Sequence, residues 1–108
     1  MKKEIYFQVI SSLGIKIRVT KDYWNEIIET KHRIMKGREN IVKQTLKSPH
    51  ELRRSKKDSK VFLYYRKIDE KYNCVVAKHL NGDGFIITTY ITDKIKAGEK
   101  YETNKNIF

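Results

Sequence analysis

Residues 61–92 read VFLYYRKIDEKYNCVVAKHLNGDGFIITTYIT: three apolar runs divided by two turn signals. VFLYYRKI, CVVAKHL and GFIITTYIT are rich in aromatic and β-branched side chains, which suit a pleated, half-buried surface. DEKYN turns the chain once. NGDG turns it again and offers two dipeptides suited to type I′ turns. The expected result is an antiparallel meander, and it decides the fold class. In the last run, strict alternation puts Phe85, Ile87, Thr89 and Ile91 on one face and Ile86, Thr88, Tyr90 and Thr92 on the other. The Phe-Ile-Ile series is expected beneath the helices, which leaves Thr88 and Tyr90 together on the more open face.

Upstream, HELRRS can add a short strand, in which the neighbours Arg53 and Arg54 point to opposite faces. Before Pro49 the period changes from two to nearly four. ENIVKQTLK reads as a helix with Ile41, Val42, Thr45 and Leu46 on one face, stopping ahead of Pro49 because the residue before proline resists helical angles. An earlier helix is capped by Thr20 or Asp22, carries Trp24, Ile27, Ile28 and Lys31 at helical spacing, and breaks near Gly37. Glu4 to Ile10 and Ile15 to Thr20, separated by SSLG, read as a hairpin. EKYETNKNIF has no periodicity and reads as a loose tail. The order predicts an α+β fold, with two helices packed on one face of a four- to five-stranded antiparallel sheet and an N-terminal β-hairpin. A single domain over 1–108 is expected, with its core in about 4–98.

Charge is the most informative bulk property. The chain of 108 residues carries 24 Lys and Arg against 13 Asp and Glu, a net charge of +11. Residues 31–60 hold eleven Lys or Arg against three Asp or Glu, a surplus of eight. Such a concentration is the footprint of a polyanion partner, and four of the six arginines lie in it, where a guanidinium can grip phosphate with two parallel bonds. The alternative is a solvated face that only maintains solubility. No apolar run approaches the length of a membrane span, and MKKEIYFQV lacks the hydrophobic segment of a signal peptide, so a cytoplasmic protein is expected. The single cysteine, Cys74, reads as a small buried hydrophobe. His32, His50 and His79 occur singly and without metal-ligand spacing, and Gly82 and Gly84 belong to a hairpin. Neither a metal nor a nucleotide cofactor is expected.

A basic domain that cleaves nucleic acid without metal points to RNA, whose own 2′-OH can attack the neighbouring phosphate. The protein must then supply a base, an acid and cations. His32 closes the apolar stripe of the first helix. It is either packed there, stabilised by the helix dipole, or available as that base. Arg38 shares a face with Ile41, Val42 and Thr45 and either reaches over the core edge or snorkels at the surface. Arg53, Arg54 and Ser55 follow the proline, and at most one of the two arginines lines a given site. Tyr64, Tyr65 and Arg66 end a strand, where tyrosines serve as core or as platforms for bases. Lys78 interrupts CVVAKHL, so it must emerge on an uncovered face where an anion is welcome.

Taken in order, GIKIRVTKDYWNEIIETKH, KGRENIVKQTLKSPHELRRS, VFLYYR and NGDGFIITTYITDKIKAGE resemble the phage-type members of the barnase–EndoU–colicin–RelE (BECR) superfamily over roughly Gly14 to Glu99. The resemblance implies helices followed by a four-stranded antiparallel sheet and metal-independent endoribonuclease activity. His32 matches the helix histidine, Thr88 and Tyr90 the Thr-x-Tyr strand, Arg54 and Ser55 the basic segment after the proline, and Arg66 the strand-end arginine. On this pattern His32 acts as base or acid, Tyr90 protonates or orients, Arg54, Arg66 and Lys78 hold the scissile phosphate, and Thr88 bonds a non-bridging oxygen. Arg38, Arg53, Ser55, Tyr65 and Lys78 are expected to contact RNA. Such domains are often toxins, which implies a neutralising antitoxin protein as partner. Thr89 departs from the pattern, since a small residue such as alanine is more usual there.

Overall fold

The chain runs through β1 (Ile5–Ile10), β2 (Lys16–Thr20), α1 (Lys21–Glu26), a π-helical turn (Ile27–Lys31) and a 3-10 turn (Arg33–Met35). It continues through α2 (Glu39–Lys47), β3 (Glu51–Arg54), β4 (Val61–Ile68), β5 (Lys71–His79), β6 (Asp83–Thr92) and the two-residue β7 (Glu99–Lys100). The structure is a computed structural model that describes residues 4–95 and 99–100. Thr20 caps α1, its Oγ1 accepting the Tyr23 amide at 3.1 Å. α2 spans the nine residues expected of it and buries Val42, Thr45 and Leu46. In the NGDG turn Gly82 adopts a φ of +87°, and Gly84 passes so close to the Lys78 carbonyl that a Cβ has no room.

The sheet order is β1-β2-β6-β5-β4-β3-β7. The α+β class is as expected, but the sheet is mixed rather than antiparallel. β2 lies parallel to β6, with Lys16, Ile17 and Arg18 opposite Asp83, Gly84 and Phe85. The hairpin joins the sheet because Ile17 and Val19 must be buried, and they reach 0% and 2% exposure against Ile86 and Trp24 in one core. Standing apart, it would leave both strands with open edges. A second correction concerns the loose tail: Glu99 and Lys100 pair with Arg54 and Arg53, while 101–108 lie outside the described residues.

The third correction is a β-bulge. Val76 pairs with Thr88 but Ala77 pairs with Ile86, so Ile87 is an extra residue in β6. Ile86 therefore joins the helix-covered core, and Phe85 shares the opposite face with its partner Lys78. Beyond the bulge the expected alternation holds. Thr89 and Ile91 turn toward the helices, and Thr88 and Tyr90 turn away.

Two buried polar networks tie these layers together. The first runs from α2 into the sheet: Thr45 Oγ1 donates to Asn73 Oδ1 (2.7 Å), and Asn73 Nδ2 donates to Thr89 Oγ1 (3.0 Å) and the Tyr90 carbonyl (3.1 Å). Thr89 Oγ1 also donates to the Cys74 carbonyl at 2.8 Å. Thr89, fully buried, is thus a structural bridge. Thr89→Ala should lower stability by roughly 1–3 kcal/mol, read from the urea midpoint, because it strands buried partners.

The second network holds the hairpin turn to the meander. Ser11 Oγ accepts the Leu13 and Ile15 amides and lies 3.0 Å from Tyr64 Oη, which lies 2.8 Å from His79 Nε2. The His79 ring stacks on Phe62 at 4.1 Å, and burial lowers its pKa to about 4. The unfolded chain therefore takes up a proton near pH 6.5 that the folded chain refuses until about pH 4. The stabilisation is complete above pH 6.5 and is lost as pH falls toward 4, by about 3 kcal/mol in all. His79→Phe should remove that part of the slope when denaturation midpoints are compared between pH 7 and 4.

Candidate nucleic-acid interface

β2 pairs with β6 only as far as Phe85, so the edge of β6 beyond that point needs another cover. The helical corner supplies it. Tyr23 Oη donates to the Ile87 carbonyl at 2.7 Å, and Lys31 Nζ lies 3.2 Å from the same hydroxyl. The corner turns through an i→i+5 bond, in which the His32 amide donates to the Ile27 carbonyl at 2.7 Å. The widened turn ends the helix and carries His32 out of the apolar stripe. Its ring lies on the ring of Tyr90, with centroids 5.4 Å apart and an interplanar angle of 38°. π-helical turns of this kind often mark functional positions.

Desolvation lowers the pKa of His32, and the neighbouring Lys31 ammonium lowers it further, so the imidazole is neutral at neutral pH. Burial raises the pKa of Tyr90, reinforced by the Cys74 thiol and the Tyr65 hydroxyl beside it. Its phenol keeps its proton. Cys74 stands opposite both tyrosines in the sheet, and Cys74 and Tyr65 are fully buried. Thr88 shares this face, and its Oγ1 is buried without a hydrogen-bond partner. The structure thus brings His32 against Tyr90, with Thr88 on the same strand face. Tyr65, expected to contact RNA, is fully buried and offers no ring surface to a base.

The cations are arranged differently from the expectation. Arg54 stands opposite Phe62 and Arg66 opposite Asn73, so both belong to the helix-covered face, away from Thr88 and Tyr90. Arg66 Nη1 donates to the Ser48 carbonyl at 2.6 Å and ties β4 to the end of α2. Strand alternation is the cause, and it gives the other face to their neighbours Arg53 and Tyr65. Arg53 pairs with Glu51 at 3.0 Å, and three strand spacings, about 14 Å, separate it from Thr88. Lys78 emerges on this same face as expected, but it stands about 13 Å down β5 from Cys74 and pairs with Asp58 at 3.3 Å. Ser55 Oγ accepts the amides of Lys57 and Asp58 and shapes the turn into β4. Arg38 Nε donates to the Ile34 carbonyl at 2.8 Å, bracing the corner.

The cations nearest His32 in the chain are Lys31, Arg33 and Lys36. Arg33 and Lys36 line a groove with Ile28 and Glu29, and both are exposed. The sequence signal for them was present in KHRIMK, a histidine flanked by cations on a turn, but a helical reading of Lys31 obscured it. Among the described residues no three His, Cys, Asp or Glu side chains are grouped to hold a metal ion, and no helix is long and apolar enough to cross a membrane. An NMR titration should place the His32 pKa below 6.5, and Lys31→Gln should move it upward by removing a like charge. An unchanged midpoint in the variant would rule out the Lys31 ammonium as a cause of the shift. Compared with known proteins, the chain matches no protein-family model, no curated protein and no solved structure.

Proposed function

We propose that this chain is a metal-independent endoribonuclease of toxin type, acting in the cytoplasm and working at His32. The observation that supports it is a neutral, half-buried imidazole seated on Tyr90, on a turn whose flanking residues Lys31, Arg33 and Lys36 are cationic. His32 takes the proton of a ribose 2′-OH, and O2′ attacks the adjacent phosphorus. The P–O5′ bond breaks to leave a 2′,3′-cyclic phosphate, and the departing oxygen takes a proton from water. Lys31 and Arg33 offset the charge gathered on the phosphorane. Tyr90 is a positioning residue in this scheme, because its hydroxyl is buried and its raised pKa makes it a poor acid.

Purified protein incubated with total RNA in EDTA should cleave it, and His32→Ala should reduce the rate by about 10²-fold or more. Because the base must be neutral, the rate should fall as pH drops through the lowered His32 pKa. Cleavage that survives His32→Ala at the wild-type rate would remove His32 from the mechanism. A second reading, an RNA-binding module without turnover, is favoured by the buried Thr88 and Tyr90 hydroxyls and by Arg54 and Arg66 lying on the other face. It gives salt-dependent RNA retention and intact RNA in the same assay.

A further inference from the structure

Among the described residues β1 ends the sheet on one side with no strand beyond it. At the opposite end β3 carries β7, and the part of β6 beyond β2 is covered by the helical corner. Ser11 N–H donates to the Ile15 carbonyl at 2.8 Å where the hairpin closes. Two-residue alternation from that bond directs the amides of Val9 and Phe7 at β2 and those of Gln8 and Ile10 outward. Natural edges avoid unwanted pairing with charged residues, proline, bulges or very short strands. β1 has a register shift between Ile5 and Phe7, and Phe7 to Ile10 pair regularly. IYFQVI has six residues and neither a charge nor a proline, and Ile5 and Ile10 are 49% and 57% exposed.

The rim of this strip carries more lysines than carboxylates, the latter being the exposed Glu4 and also Glu39, which accepts the Tyr6 hydroxyl at 2.8 Å. Lys21 Nζ sits 4.7 Å over the Tyr6 ring, Lys43 Nζ 5.1 Å over the Phe7 ring, and exposed Lys16 stands opposite Ile10. A second copy of the chain would bring the same lysines, and another net charge of +11, against this rim. An acidic strand is attracted to it, because complementary charge steers association and like charge opposes it. We propose that β1 is a strand-addition site for an extended, acidic segment of a partner protein with alternating apolar and carboxylate side chains. The added backbone bonds to the outward groups of Gln8 and Ile10, its apolar side chains cover Ile5 and Ile10 on one face, and its carboxylates meet Lys21 and Lys43 on the other. This surface is separate from the His32 site and does not depend on RNA cleavage.

The test uses two labelled peptides of equal charge: one of alternating valine and glutamate, the other with its central valine replaced by proline so that it cannot complete a strand. In fluorescence anisotropy at 150 mM salt, the unbroken peptide should bind the full-length protein at least tenfold more tightly. Gln8→Pro removes an outward N–H without changing the protein's charge, and it should lose that tenfold preference. Hydrogen exchange of the wild-type Gln8 and Ile10 amides should slow on binding, which decides the matter even if the variant fails to fold. Equal binding of the two peptides, or unprotected Gln8 and Ile10 amides in the complex, would reduce the effect to bulk charge attraction and overturn the proposal. So would sedimentation of the chain alone as a dimer that Gln8→Pro dissolves, since the occupant would then be a second copy.

Discussion

The rest of the molecule is arranged around one backbone constraint: the outer edge of β6 runs out of strand partner after Phe85. Buried carbonyls at that edge need donors. The Tyr23 hydroxyl serves Ile87, and to place Tyr23 there the chain must leave β2 and turn directly into a short helix along the edge. The same requirement accounts for the bulge, since the extra residue presents its carbonyl to that hydroxyl. It also accounts for the widened turn before His32, which closes the corner over Tyr90. The candidate site is a by-product of finishing a sheet edge with helix instead of strand.

Electrostatics then separates two kinds of cation. Arg66, Arg38 and Arg53 hold internal partners, the Ser48 carbonyl, the Ile34 carbonyl and Glu51, and so brace the scaffold. Arg33 and Lys36 remain exposed along a groove beside the corner. The Lys78–Asp58 pair is partly exposed on both sides, and such pairs contribute little to stability because water screens them. A high count of arginines is therefore a poor guide to where phosphate would bind. Which of them the backbone has already engaged matters more.

Much of the fold was legible because its signals are local. The runs of β4, β5 and β6, the Thr20 cap, the extent of α2 and the burial of Cys74 all follow from residue type and spacing within one element. The opposed directions of Arg53 and Arg54 follow from alternation once HELRRS is taken as a strand. What the sequence hid was non-local. Nothing in Gly84-Phe85-Ile86-Ile87 distinguishes a bulge from a regular strand, since each residue is equally at home on either face. The parallel joint between β2 and β6 depends on residues far apart in the chain. In the candidate site, the shared face of Thr88 and Tyr90 was legible because both lie past the bulge, and the place of His32 because it ends an apolar stripe. Arg54 and Arg66 were misplaced because their faces are set by the β3–β4 register, which no local pattern encodes.

That parallel joint also bears on the order of assembly. β1 and β2 form a hairpin from adjacent sequence, and β4, β5 and β6 form a meander from adjacent sequence. Lys16 and Asp83 meet only when those two halves dock. During synthesis at roughly 5–20 residues per second, the hairpin emerges several seconds before its partner strand exists. Through that interval Ile17 and Val19 have no core to enter. Closure of so long a loop is entropically costly and comes late, which makes the nascent hairpin the part of this chain most in need of shelter until β6 arrives.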